Sequence, residues 1–136
     1  MKNKMYLIIG VPGSGKSTKA AEIQDSYNKK IKILEADMFF YKNGIYKFDP
    51  AKLHAAHQWC QDECRLTMSL KIDVIISNTS LTPRERRVYI EMAKEFNYDI
   101  EVITMNGNFQ NIHGVPDDKV ELMRKRYIPF SYEELL

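Results

Sequence analysis

The sequence predicts an α/β fold, with one parallel sheet of about four strands and helices on both faces. Two observations carry this. Short apolar runs rich in β-branched residues recur four times along the 136 residues. Each pair of runs is separated by a stretch long enough for a helix, and several of these stretches open on recognisable helix-start residues. Parallel neighbours need such crossovers, and a chain that alternates in this way closes into a parallel sheet covered by helices. The length fits a single domain spanning 1–136, which buries roughly 65–70% of its unfolded surface.

Tyr6-Leu7-Ile8-Ile9 reads as a buried strand that ends at Gly10. A glycine-rich turn and a helix from about Lys16 to Tyr27 follow. Ile31 to Leu34 is the second strand, ending near Asp37. Phe39 to Asp49 is aromatic and loop-like, with Asn43-Gly44 as a turn signal. Asp49 is the expected cap and Pro50 the first residue of a long helix that runs to about Leu70. Val74 to Ile76 is the third strand, followed by the polar segment Ser77-Asn78-Thr79-Ser80. Thr82, Pro83 and Glu85 compose a capping box for a helix that reaches about Phe96. Ile100 to Thr104 is the fourth strand. Asp117 is the expected cap of a basic helix to about Arg126, and Ser131 with Glu134 makes a weaker capping box at the tail.

Composition is that of an ordinary globular protein, with 44% hydrophobic and 28% charged residues. The net charge of +2 does not by itself mark a nucleic-acid binder. The first apolar run is too short for a signal peptide or a membrane span, so no membrane partner is expected. Cys60 and Cys64, i,i+4 on one helix side, are expected to be reduced thiols in a cytoplasmic protein. His54 and His57 lack a second ligand pair at zinc spacing. His57, Trp59 and the cysteines are expected to be packing residues.

Ligands of parallel sheets bind beyond the C-terminal strand ends, so chemistry is sought at Gly10 onward, Asp37, Ser77 to Ser80, and Met105 onward. Gly10-Val11-Pro12-Gly13-Ser14-Gly15-Lys16-Ser17-Thr18 fulfils the Walker A pattern between a strand and a helix. Its glycines let successive N–H groups wrap a phosphate, and the helix starting at Lys16 aims its positive end there. Lys16 is the candidate ligand of the β- and γ-phosphates of ATP or GTP, and the Ser17 hydroxyl the candidate ligand of Mg²⁺. The fold class is thereby a three-layer P-loop NTPase of kinase type.

Asp37 reads either as a general base for a substrate hydroxyl or as a turn cap. The third strand ends in Ser77 and Asn78, with no Walker B acid, and Asp73 stands at its opposite end. This favours a small kinase over a water-activating ATPase. Asn78 and Thr79 either bond phosphate or substrate, or satisfy loop backbone. Arg84, Arg86 and Arg87 open a helix, where either one meets an anionic substrate or all are solvated surface residues. Arg124 and Arg126 either stabilise transferring charge or form a surface cluster that the helix dipole favours.

The loop Gly10–Ser17, Ala36-Asp37, the stretch Asn43-Gly44-Ile45-Tyr46-Lys47-Phe48-Asp49-Pro50, Ala56-His57-Gln58-Trp59, Asn78-Thr79-Ser80-Leu81 and Asn111-Ile112-His113-Gly114-Val115-Pro116 together resemble the NEDD4-binding-protein-2-like P-loop kinases. These are relatives of the phage polynucleotide 5′-kinase among the AAA/zeta-toxin-like P-loop NTPases. The resemblance runs from about Tyr6 to Tyr127. It implies ATP with Mg²⁺ as cofactors, a nucleic-acid 5′-hydroxyl as acceptor and Asp37 as general base. It also implies Asn78, Thr79 and Arg87 as substrate-binding residues. Three departures stand out: Phe40 replaces the arginine that follows the catalytic Asp in the phage enzyme, Gln110 replaces another, and the arginine-bearing lid is short. Lys16, Mg²⁺ and Arg124 or Arg126 are then left to stabilise the transferring charge. A small-molecule acceptor, or a nucleotide-binding module with little catalysis, remain as alternatives.

Overall fold

A computed structural model describes residues 2–107 and 114–136. Four strands, β1 (Lys4–Ile9), β2 (Ile31–Leu34), β5 (Asp73–Ile76) and β6 (Asp99–Thr104), form one parallel sheet in the order β2-β5-β1-β6. The register pairs Leu34 with Ile76, Leu7 with Ile76 and Ile9 with Thr104, so the strands end close together on the C-terminal edge.

Side-chain alternation divides the core between the two faces of the sheet. Leu7, Ile9, Leu34, Val74 and Ile76 meet α2 (Leu53–Ser69) and α3 (Pro83–Glu95) through Cys60, Cys64, Met68, Tyr89, Ile90 and Ala93. Ile8, Ile31 and Ile75 meet Ala20 and Ile23 of α1 (Lys16–Ser26) on the other face. This is the expected three-layer arrangement, and β5 is buried along its whole length because both of its faces are covered. A third cluster of Val11, Leu81 and Val120 seats α4 (Asp117–Arg126) against the glycine-rich loop.

Several local expectations are corrected. The stretch after β2 is not an open loop. Ala36–Phe40 forms a 3₁₀ turn, and β3 (Tyr41–Lys42) and β4 (Ile45–Tyr46) pair antiparallel around Asn43-Gly44, both with positive φ. The two-residue Asn-Gly link matches the twist of a hairpin. Asp49 does cap, through its carboxylate and the Ala51 N–H at 3.0 Å, but the turn it caps is a 3₁₀ segment that precedes α2. Asp117 is the first residue of α4 and Pro116 the cap position, so its charge faces the helix dipole from within the first turn. At α3, Thr82 accepts from the Glu85 N–H at 3.3 Å, but Glu85 accepts in return from Leu81 rather than Thr82. The tail capping box of Ser131 and Glu134 is present. Cys60 and Cys64 are buried free thiols and Trp59 packs on the core, but His57 lies on the exposed side of α2. No helix among the described residues is long and apolar enough to cross a membrane.

Candidate nucleotide site

The glycine-rich loop leaves β1 at Ile9 and enters α1 at Lys16. Gly15 occupies the cap position with φ 102°, a left-handed conformation that strains any other residue. Gly10 is required for a different reason: a Cβ there would stand 2.3 Å from the Ser14 hydroxyl and 3.0 Å from the Met105 carbonyl. The loop is held from both sides, by Gly10 N–H on the Thr79 carbonyl at 3.1 Å and Gly107 N–H on the Ser14 carbonyl at 3.1 Å. Thr79 therefore supports the phosphate loop through its backbone.

Lys16 is buried and donates to the Val11 carbonyl at 3.2 Å. Burial pushes its ammonium down to about 8, against the raising influence of the Glu35 charge. The Ser17 hydroxyl lies 3.4 Å from Oε1 of Glu35, the residue that follows β2. Sequence reasoning passed over Glu35, which carries no motif; its place directly beyond an apolar strand was the available signal. Thr18 is exposed on α1.

Asp37 sits in the 3₁₀ turn two residues beyond Glu35, and Tyr46 of the hairpin donates to its Oδ1 at 2.7 Å. Burial, with the Asp37 hydrogen bond and charge, pushes the Tyr46 phenol up, so it stays a donor at neutral pH. Phe40 is only 4% exposed and packs edge-on against Phe39, Tyr46 and Phe48. An arginine cannot replace it without burying its charge in an aromatic cluster.

Asn78 faces away from a substrate role in its visible bonds. Its Oδ1 accepts from the Ala36 N–H at 2.7 Å, and its amide contacts Tyr89 and Cys60. It thus locks the turn that carries Asp37. Of the three arginines opening α3, Arg84 and Arg87 are exposed, while Arg86 is wholly buried. Arg86 grips both oxygens of Glu134 at 2.9 and 3.1 Å and donates to the Ser80 and Ile128 carbonyls, so it is a structural strut and not a solvated cation. Neither the bonding partner nor the depth of Arg86 was legible from its spacing.

On the β6 side of the loop lies a cavity of about 210 Å³, lined by Gly10, Val11, Ser14, Met105, Arg124 and Tyr127 among others. Arg124 reaches it while its Nε stands 3.3 Å from Glu121. Arg126 does not join it there: it is exposed and bonded to Glu85 at 2.8 Å. Gln110 and Asn111-Ile112-His113 lie outside the described residues. The donor set fits a nucleotide with its metal: a nest of glycine-rich backbone, a buried ammonium, a serine hydroxyl and a nearby carboxylate.

A parallel sheet whose first strand feeds a Gly-x4-Gly-Lys-Ser loop, beside an acidic turn on the second strand, defines a kinase-type P-loop NTPase fold. Residues 5–107 match the family described as AAA domain, and the chain belongs to that family. Human NEDD4-binding protein 2 is 33% identical over 136 residues, an alignment covering 93% of this chain and 8% of that protein. The chain therefore spans a small part of this curated relative. Among solved structures, Chaetomium thermophilum Kti12 in complex with ADP-AlF3 superposes with a TM-score of 0.67 at 14% identity, over 95% of this chain and 82% of that one. Mycobacterium tuberculosis APS kinase CysC gives 0.61 at 14% identity over 92% and 96%. A chain of the Pnkp1/Rnl/Hen1 complex gives 0.62 at 18% identity over 96% and 42%. At such identities these neighbours establish the fold.

Proposed function

We propose that this chain is an ATP-dependent phosphotransferase that acts on the 5′-hydroxyl of a polynucleotide. The observation that carries the reading is the docking of the Asp37 turn on the phosphate loop. Glu35 stands against Ser17, Asn78 pins Ala36, and Tyr46 fixes Asp37, so a base and the loop share one sheet edge.

In this reading Gly13 to Thr18 wrap the ATP phosphates, and Lys16 neutralises charge at the β–γ bridge. Mg²⁺, held through Ser17, would supply further neutralisation of the phosphate oxygens. Asp37 accepts the proton of the acceptor hydroxyl as its oxygen attacks the γ-phosphorus. The bond to the β–γ bridging oxygen breaks, and ADP leaves with that electron pair. Arg124 and Tyr127 line the cavity on the far side of the loop and suit the base or ribose of the nucleotide.

The hairpin supports a polynucleotide acceptor. Beside Asp37 the hairpin and the residues just after it expose Tyr41 (54%) and Phe48, with Lys42 and Lys47 between them in the chain. Rings for stacking and cations for phosphate are the usual elements of a single-strand platform. A chain of the Pnkp1/Rnl/Hen1 RNA repair complex shares this fold, which agrees with the same reading.

The test is transfer of labelled γ-phosphate to a 5′-hydroxyl oligonucleotide. Asp37→Asn should lower kcat by about 10²–10⁴-fold while ATP still binds. Transfer only to a small metabolite would replace the acceptor. ATP binding, lost in Lys16→Ala, with no transfer to either would leave a nucleotide-binding module and overturn the proposal.

A further inference from the structure

The strand that flanks a phosphate loop commonly ends in an acid that serves the nucleotide's metal ion, yet β5 ends in Ser77 and Asn78. Asn78 is committed to Ala36, Tyr89 and Cys60. The sheet supplies the missing charge from one strand over. β2 and β5 are paired with Leu34 opposite Ile76, and Ser77 N–H continues the ladder onto the Leu34 carbonyl at 3.0 Å. Glu35 and Ser77 therefore stand side by side just beyond the last pair.

Alternation gives their direction. Leu34 and Ile76 belong to the core under α2 and α3, whereas Ile75 belongs to the core under α1, with Ile33 packed on it. The next residues on both strands, Glu35 and Ser77, fall on the α1 face. Ser17 lies in the first turn of α1 on that face, and its hydroxyl is 3.4 Å from Glu35 Oε1. The Ser77 hydroxyl is 3% exposed by residue and has no hydrogen-bond partner among the described residues. A buried orphan hydroxyl is costly to keep, and a metal-bound water would satisfy it.

We infer that Glu35, with Ser77 beside it, completes the Mg²⁺ site of Ser17, the carboxylate having been supplied by the second strand and not the third. Cis oxygens of an octahedral Mg²⁺ shell are about 3 Å apart, and the ion usually keeps several waters. A Ser17–Glu35 pair at 3.4 Å suits one shell, with Glu35 bound directly or through one such water. Ser77 accepts from or donates to the water shell on the inner side.

The inference rests on the nucleotide-binding reading above, and the experiment separates the two. Fluorescent mant-ATP is titrated into wild type, Glu35→Gln, Glu35→Asp and Ser77→Ala, each once in Mg²⁺ and once in EDTA. The readout is the ratio of the two affinities for each protein. Free Mn²⁺ is counted in parallel by its EPR signal in the presence of ATP. Wild type should bind more tightly with metal. Glu35→Gln should lose about ten- to a hundredfold in metal affinity and bring its ratio towards one. Glu35→Asp should recover part of this, and Ser77→Ala should lose less than Glu35→Gln. A wild-type ratio retained in Glu35→Gln, with Mn²⁺ still bound, overturns the inference and leaves nucleotide binding standing. Wild type that binds mant-ATP in neither medium removes both.

Discussion

Lys16 shows how one residue carries a property that its motif does not express. The pattern places an ammonium at the phosphates; burial decides how readily it stays charged. With burial holding it down to about 8, a fraction of the protein has a neutral Lys16 in mildly alkaline solution. Phosphate binding favours the charged form, so binding takes up a proton above that pH. The affinity for ATP should be level below about pH 7, begin to fall as pH rises through about 8, and weaken by up to about tenfold per pH unit above that. Mant-ATP titrations across this range check it, and titration calorimetry in buffers of different ionisation enthalpy should show proton uptake near pH 8.5 or so. Lys16→Arg, always charged, should lose the inflection even if its geometry weakens binding. Asn78 makes the complementary point: its amide is used to hold a neighbouring backbone, so in the proposed chemistry it acts through the position of Asp37.

At the scale of elements, the loop between β5 and α3 is stabilised from behind. Ser80 has φ 50°, unusual for a residue with a Cβ, and its carbonyl is held by Arg86. The same guanidinium reaches Ile128 and Glu134, so the tail after α4 and the start of α3 share one buried ion pair. Burial alone would push the Glu134 carboxyl up, but the Arg86 hydrogen bonds bring it below its ordinary value. Removing one partner leaves the other charge buried and unpaired. Arg86→Ala should therefore destabilise the fold by about 3–5 kcal/mol, read as a lower urea midpoint. Because Thr79 in this loop accepts from Gly10, ATP affinity should fall with it; Arg86→Lys should recover little, lacking the planar fork. Arg87→Ala, at an exposed neighbouring position, is the control for stability.

The whole molecule treats the two edges of its sheet differently. On the N-terminal edge Asp73 is buried and fully engaged: Asn3 and the Lys4 N–H donate to it, Tyr27 donates from the end of α1, and Lys29 pairs with it at 3.3 Å. On the C-terminal edge the buried hydroxyls of Ser14 and Ser77 have no partner among the described residues. One edge is closed for stability and the other is left open to a ligand, as parallel sheets generally are. Burial would raise the Asp73 carboxyl, but the hydrogen bonds from Tyr27, Asn3, Lys4 and Lys29 outweigh it and hold it below its ordinary value. A lowered acid contributes stability that is present above its unfolded value and lost as pH falls through its folded one. Asp73→Asn should cost about 1–3 kcal/mol at pH 7 and flatten the loss of stability below about pH 4, measured by urea unfolding at both pH values.

The amino-acid sequence by itself determined the α/β class, the four core strands and the phosphate loop. It could do so because each rests on local rules: alternation of apolar runs, glycines that alone accept the required backbone, and caps within a turn of the helices they start. Those signals survive without knowledge of neighbours. What only the tertiary structure decided is which polar groups meet. Glu35 lies eighteen residues from Ser17, Asn78 forty-two from Ala36, and Arg86 forty-eight from Glu134. Nothing in the spacing of one chain segment encodes a contact of that range. It is set by strand order, by the register of β2 on β5, and by which face of the sheet each helix covers. The loop could be named from its own residues; the carboxylate beside it, and the struts behind it, exist only because the sheet brings those distant ends together.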